Sequence, residues 1–130
     1  MAVRIVRLGA PRSPEEGIRL GTVRRPPRGV RKQDYASRDF YDAWLPELAP
    51  SDALLAWARA RPLTGARWTQ FATRYRREMQ APAAQRLLTL IALLSRATHL
   101  SVGCYCEDEA HCHRRVLRAL LIDAGGVVER

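Results

Sequence analysis

Cys104-Tyr-Cys-Glu-Asp-Glu-Ala-His-Cys-His-Arg114 gathers every cysteine of the chain and two of its three histidines into eleven consecutive residues. Thiols, imidazoles and a guanidinium at such density suggest three kinds of chemistry. The first is an anion site, in which Arg114 supplies planar donors beside the N-terminus of a helix and Arg28 approaches from elsewhere in the chain. The same positive surroundings lower a thiol's pKa, making Cys106 or Cys112 a nucleophile or redox sensor with His113 or His111 as base. The second is a metal, since Cys104, Cys106, His111, Cys112 and His113 exceed the four ligands that zinc takes. The third is structural: Cys104 and Cys112 are small core hydrophobes and His113 a satisfied, half-buried histidine.

Spacing discriminates among these. Phosphatases that carry a thiolate in a phosphate loop place an arginine six positions after the cysteine. Here that position after Cys106 is Cys112, and Arg114 comes two later, so that loop is disfavoured. No C-x2-C or H-x3-H pair is present to form a zinc knuckle. The leading expectation is therefore a ligand site of Cys106, Cys112, His113 and Arg114 with Arg28 above it, binding a small anionic or nucleotide-like molecule, with thiol chemistry at Cys106 or Cys112. No residue is assigned to a metal in this reading and no cofactor is named. Metal binding through the Cys/His cluster remains an alternative.

The elements that must position these residues follow from periodicity. His99 to Cys106 reads as a short buried strand, and Val116-Leu-Arg-Ala-Leu-Leu-Ile122 repeats apolar residues at helical spacing, so the cluster falls on a strand-to-helix turn. In α/β proteins that turn lies at the carboxyl edge of the sheet, where ligands bind. Val3 to Leu8 and Ile18 to Val23 read as two further strands. Residues 24–50 are irregular, broken by Pro26, Pro27, Gly29, Pro46 and Pro50, and such a segment suits a binding loop. Three helices follow: one capped by Ser51, one with the stripe Trp68, Phe71, Tyr75 and Met79, and one starting near Pro82 with Leu87, Leu88, Leu90, Ile91 and Leu94. Gly125-Gly126 ends the last helix, and Val127-Val128 offers an edge strand. These elements predict one α/β domain over 1–130, three-layered, with a mainly parallel central sheet flanked by helices.

Composition limits the partners. At 130 residues, 47% of them hydrophobic, the chain builds one core. The longest apolar run is too short to span a bilayer, and an odd number of cysteines argues against a disulfide framework, so a cytoplasmic protein with reduced thiols and no membrane partner is expected. A net charge of +9 raises nucleic acid as an alternative partner, through Arg24, Arg25, Arg28, Arg31 and Lys32. Lys32 is the single lysine and arginines are spread along the chain, so a solvated basic surface explains the same charge.

Four segments carry a family likeness: Pro27-Arg28-Gly29-Val30, Trp44-Leu-Pro-Glu-Leu-Ala-Pro-Ser51, Trp68-x-x-Phe71-x-x-x-Tyr75-x-x-Glu78, and Cys106 with Cys112-His113-Arg114. Together they resemble the domain of unknown function family 488, in its YeaO-like branch. Two departures stand out: Pro26 replaces a tryptophan of the branch pattern, and Val23 to Arg25 lack its acidic residue. The resemblance implies a three-layer α/β fold and no assigned activity.

Overall fold

Leu100–Cys104 is buried at all five positions, as a strand covered on both faces must be. In the computed structural model, which describes residues 1–129, this strand (β4) lies between β1 (Val3–Arg7) and β2 (Ile18–Gly21), and β2 pairs on its outer edge with β3 (Ala43–Trp44). All three pairings are parallel. The helices are α1 (Asp52–Arg59), α2 (Gly65–Glu78), α3 (Pro82–Ser95) and α4 (His113–Asp123). The protein is thus a single α/β domain on a parallel sheet. No helix among the described residues is long and apolar enough to cross a membrane.

Register sorts the two faces. Ile5, Val102 and Leu20 stand in one row and join a core to which all four helices contribute, including Leu54, Phe71, Tyr75, Leu88, Ile91, Leu117 and Leu121. The opposite face carries Arg4, Ser101 and Arg19 in one row and Val6, Gly103 and Gly21 in the next. Irregular chain covers that face, where helices were expected on both. A Cβ on Gly21 would collide with the Tyr41 ring, and one on Gly103 would meet Leu8 and Val6, so two bare positions let this layer lie close against the sheet.

A buried ion pair fastens the irregular layer. Arg19 and Glu16 have side chains only 1% and 4% exposed. Arg19 Nε and Nη2 donate to Glu16 Oε1 and Oε2 at 2.6 and 3.0 Å, while Nη1 donates to the carbonyls of Ala10 and Asp39 at 2.8 and 2.6 Å. Glu16 also accepts from the Ser101 hydroxyl at 2.8 Å. Strands β2 and β4 and two loops therefore share one network in which both charges are satisfied, the condition under which a buried pair is tolerated.

Residues carrying the family likeness fix the 24–50 segment. Trp44 Nε1 donates to the Val23 carbonyl at 2.7 Å, and the buried Tyr75 hydroxyl donates to the Leu48 carbonyl at 2.7 Å. Ser51 caps α1 by accepting from the Leu54 amide at 3.1 Å, and Glu78 accepts from the Ser51 amide at 2.8 Å. Trp44 thus anchors the loop.

Several sequence expectations are corrected. The strand ends at Cys104 instead of Cys106, because its partner β1 also ends: Leu8 N takes the Cys104 carbonyl at 2.8 Å, and the ladder goes no further. Strand β3 was read as loop, since two residues carry no periodicity. In α3, Leu90 and Leu94 are exposed by 51% and 37%, and the buried face is Ala84, Leu88, Ile91, Ala92 and Ser95. An almost wholly apolar helix conceals which of its faces is inward. Val128 does make a parallel bridge, to Val3.

Glu16 makes the network pH-sensitive. Burial alone raises its carboxyl, but hydrogen bonds from Arg19, Ser101 and the Ser13 amide outweigh burial and hold it below the ordinary glutamate value. A carboxyl lowered by folding contributes stability that is whole above its unfolded pKa of ~4.3 and is lost as pH falls through the folded value. Glu16→Gln is expected to lower stability at neutral pH by about 3 kcal/mol in urea titration. The wild type should then lose stability between about pH 5 and pH 3 more steeply than the variant; parallel pH curves would contradict this role.

Candidate functional site

Beyond β4 the chain runs through Tyr105 to a short 3-10 turn at Glu109–His111 and enters α4 at His113. Cys112 is the residue before the first helical turn, in extended conformation, with no side-chain cap of its own. Its sulfur therefore sits at the positive end of an 11-residue helix. The sulfurs of Cys104, Cys106 and Cys112 all lie within 4.8 Å of one another. Cys104 Sγ and Cys106 Sγ are 3.7 Å apart. The C-x-C spacing achieves this because only Cys104 is in the strand; Cys106 lies past its end, where the backbone is free to turn its side chain back. All three are free thiols, with Cys104 and Cys112 buried and Cys106 exposed.

Two cationic or titratable partners hold Cys112. His113 is 5% exposed, and its Nε2 lies 2.7 Å from the Thr22 carbonyl, an atom that only accepts. Nε2 thus donates to that carbonyl, and Nδ1 lies 3.7 Å from Cys112 Sγ. Arg114, 3% exposed, donates from Nε to Cys112 Sγ at 3.4 Å, from Nη1 to the Val6 carbonyl at 2.8 Å and from Nη2 to the Cys106 carbonyl at 2.7 Å. Its charge acts on the sulfur and its remaining bonds fix the loop.

The three thiols share protons unequally. Hydrogen bonds from Cys104 and Cys106 stabilise a Cys112 thiolate and outweigh burial, with His113 adding to the effect, so Cys112 falls well below the ordinary cysteine range. Cys104 is pushed far up, first by hydrogen bonding with Cys106 and Cys112 and then by burial. For Cys106, the bond with Cys104 lowers its pKa, but hydrogen bonding with Cys112 and partial burial outweigh this and leave it raised. The buried Cys112 is thus the strongest acid of the three and the exposed Cys106 a weaker one.

The cluster borders a cavity of ≈ 820 Å³. Cys104, Cys106, Cys112 and His113 line it together with the aromatic residues Phe40 and Tyr105. Four arginines, Arg24, Arg25, Arg28 and Arg59, line it against one carboxylate, Asp52. Arg24 is spent on the carbonyls of Pro50 and Ala49 at 3.1 and 3.2 Å, and Arg25 pairs with Asp52 at 3.0 Å. Arg28 and Arg59 are exposed and make no hydrogen bond or ion pair among the described residues.

Of the residues singled out from sequence, Cys106, Cys112, His113 and Arg28 all line this cavity. Arg114 lies behind it, and the donors described above go to protein atoms. His111 is at the edge, bonded through Nδ1 to the exposed Asp108 at 3.0 Å. Sequence reading missed Arg59. Its signal was available: Asp52, Leu55, Ala58 and Arg59 share one helical face, and all four line the cavity. It also missed Tyr41, whose buried hydroxyl has no hydrogen-bond partner among the described residues and whose pKa is pushed up to about 12 by burial and by Tyr35.

Comparison with known proteins bears out the family likeness. A family model described as the active DUF488-N3 subclade matches residues 3–125, and the chain belongs to that family. Similar curated proteins include uncharacterized proteins from Mycobacterium bovis and from two strains of Mycobacterium tuberculosis, each 30% identical over 119 residues that cover 92% of this chain and 92% of the relative. No solved structure matches the chain at a significant level.

Replacing Arg114 tests how the cluster is held. Arg114→Met is expected to cost about 3 kcal/mol in urea unfolding, since it strips donors from the Val6 and Cys106 carbonyls and from the Cys112 sulfur. The neighbouring exposed Arg115→Met should cost well under ~1 kcal/mol. Equal, small losses in both would show that Arg114 does not organise the site.

Proposed function

Taking membership of the active DUF488-N3 subclade as the premise, we infer that this protein binds a small anionic ligand, of phosphate or nucleotide type, in the arginine-lined cavity and presents the Cys106 thiol to it. One observation carries the reading. Two exposed arginines without partners among the described residues, Arg28 and Arg59, line the same cavity as the cysteines around the start of α4. A guanidinium with free donors binds phosphate or carboxylate in bidentate fashion, and a helix N-terminus favours negative charge. The volume falls within the range of small-molecule sites, and Phe40 and Tyr105 offer faces to a ring such as a nucleobase.

Arg28 and Arg59 meet the ligand in this reading. Arg114, first expected to do so, instead stabilises the Cys112 thiolate from behind. Cys106 is the attacking sulfur because it alone of the three is exposed. The Cys106 sulfur attacks phosphorus of a phosphoester ligand, forming a P–S bond as the P–O bond to the leaving oxygen breaks, and that oxygen departs with the bonding pair and takes up the thiol proton. Arg114 and His113 hold the Cys112 sulfur at the start of α4 beside that of Cys106.

Thermal shift tests the binding step. At fixed ionic strength, phosphate, carboxylates and mono- and dinucleotides are compared on the wild type and on Arg28→Ala/Arg59→Ala. A ligand at about a hundred times its Kd should raise the wild-type Tm by roughly 8 °C. The double variant, altered only at exposed side chains, should keep its own Tm and lose the shift. No shift with any ligand, or an equal shift in both proteins, would overturn the anion reading. A shift produced only by DNA or RNA and abolished by moderate salt would transfer the function to nucleic-acid binding.

A further inference from the structure

We propose that Cys104, Cys106 and Cys112 form a site for one thiophilic divalent ion of the zinc type, held by three sulfurs with its fourth position open to the cavity. The inference goes beyond the anion reading, which depends on Arg28 and Arg59 and is assayed without any ion.

Distances carry it. Sulfurs bound to one zinc at ~2.3 Å stand ~3.8 Å apart in a tetrahedral arrangement. Cys104 and Cys106 already meet that spacing at 3.7 Å, and all three sulfurs lie within 4.8 Å. Closing the set on an ion therefore needs side-chain movement of about 1 Å at most. The compact group consists of the sulfurs alone.

The surroundings suit a bound ion. Three thiolates around a dication leave net negative charge, and the Arg114 guanidinium, 3.4 Å from Cys112 Sγ, offsets it. His113 approaches the same sulfur with Nδ1 while its Nε2 is tied to the Thr22 carbonyl at 2.7 Å. Outer partners of that kind orient sulfur ligands and tune their basicity. All three cysteines line the cavity, so the ion would sit at its wall with one position facing the cavity. Three protein ligands and one open position is the arrangement of zinc sites that bind water or substrate, in contrast to closed structural sites.

Cobalt(II) added to reduced, ion-free protein reads the site directly. Saturation is expected at about one equivalent, with a sulfur-to-cobalt charge-transfer band and visible bands of tetrahedral intensity that zinc abolishes by displacement. Cys106→Ser alters an exposed residue, so circular dichroism should show an intact fold while cobalt affinity falls about tenfold or more. Arg28→Ala/Arg59→Ala should bind cobalt with the wild-type spectrum, which separates ion binding from anion binding. His111→Ala should leave the cobalt spectrum unchanged. Absence of the charge-transfer band at saturating cobalt, an unaltered spectrum in Cys106→Ser, or its loss in His111→Ala would each overturn the three-sulfur assignment.

Discussion

A guanidinium buried at the first turn of α4 is the constraint on which the site depends. Arg114 is 3% exposed and always charged, so it is stable there only because acceptors surround it. Those acceptors come from separate parts of the chain: Val6 of β1, Cys106 beyond β4, and Cys112 before the helix. Satisfying one cation thus dictates the path of residues 105–112 and ties the loop to the edge of the sheet. The sulfurs converge as a result. Any ligand chemistry above them inherits a scaffold whose geometry is set by hydrogen bonds to backbone, which are harder to rearrange than side-chain contacts.

The same device recurs below the sheet. Arg19 with Glu16 joins β2, β4 and two irregular segments, just as Arg114 joins β1 to the start of α4. A domain of this size has a limited apolar core, and its irregular layer cannot be held by helix packing. Fully bonded buried charges and the bare surface at Gly21 and Gly103 fix that layer instead. On the helical side, Tyr75, Glu78 and Ser51 perform the corresponding task for the 24–50 segment. Many residues that give the chain its family likeness therefore hold the loop in place, while the cavity takes Arg28 and the Cys/His residues.

Much of this was legible in sequence, and the failures have physical causes. The parallel sheet showed in the short apolar runs at Val3, Ile18 and Leu100, and the cysteine cluster announced itself by density. Buried charge did not. Glu16 and Arg19 carried no signal in sequence and Arg114 was expected to meet a ligand, because burial of an ion depends on partners distant in sequence, such as Ser101 for Glu16. The inward face of α3 is hidden because leucines occupy its exposed side as well, and β3 is too short to have a period. The approach of the C-x-C sulfurs to 3.7 Å depends on the early end of β4, which spacing alone does not show.

The central claim is that a ligand in the arginine-lined cavity lies against Cys106. Iodoacetamide alkylation of the native protein, followed by peptide mapping, tests it most directly when run with and without a saturating nucleotide. Cys106 should be modified first, ahead of buried Cys104 and Cys112, and the nucleotide should slow its modification about tenfold or more. Alkylation of Cys106 at the same rate in both conditions, with the nucleotide bound, would place the ligand elsewhere and contradict the account.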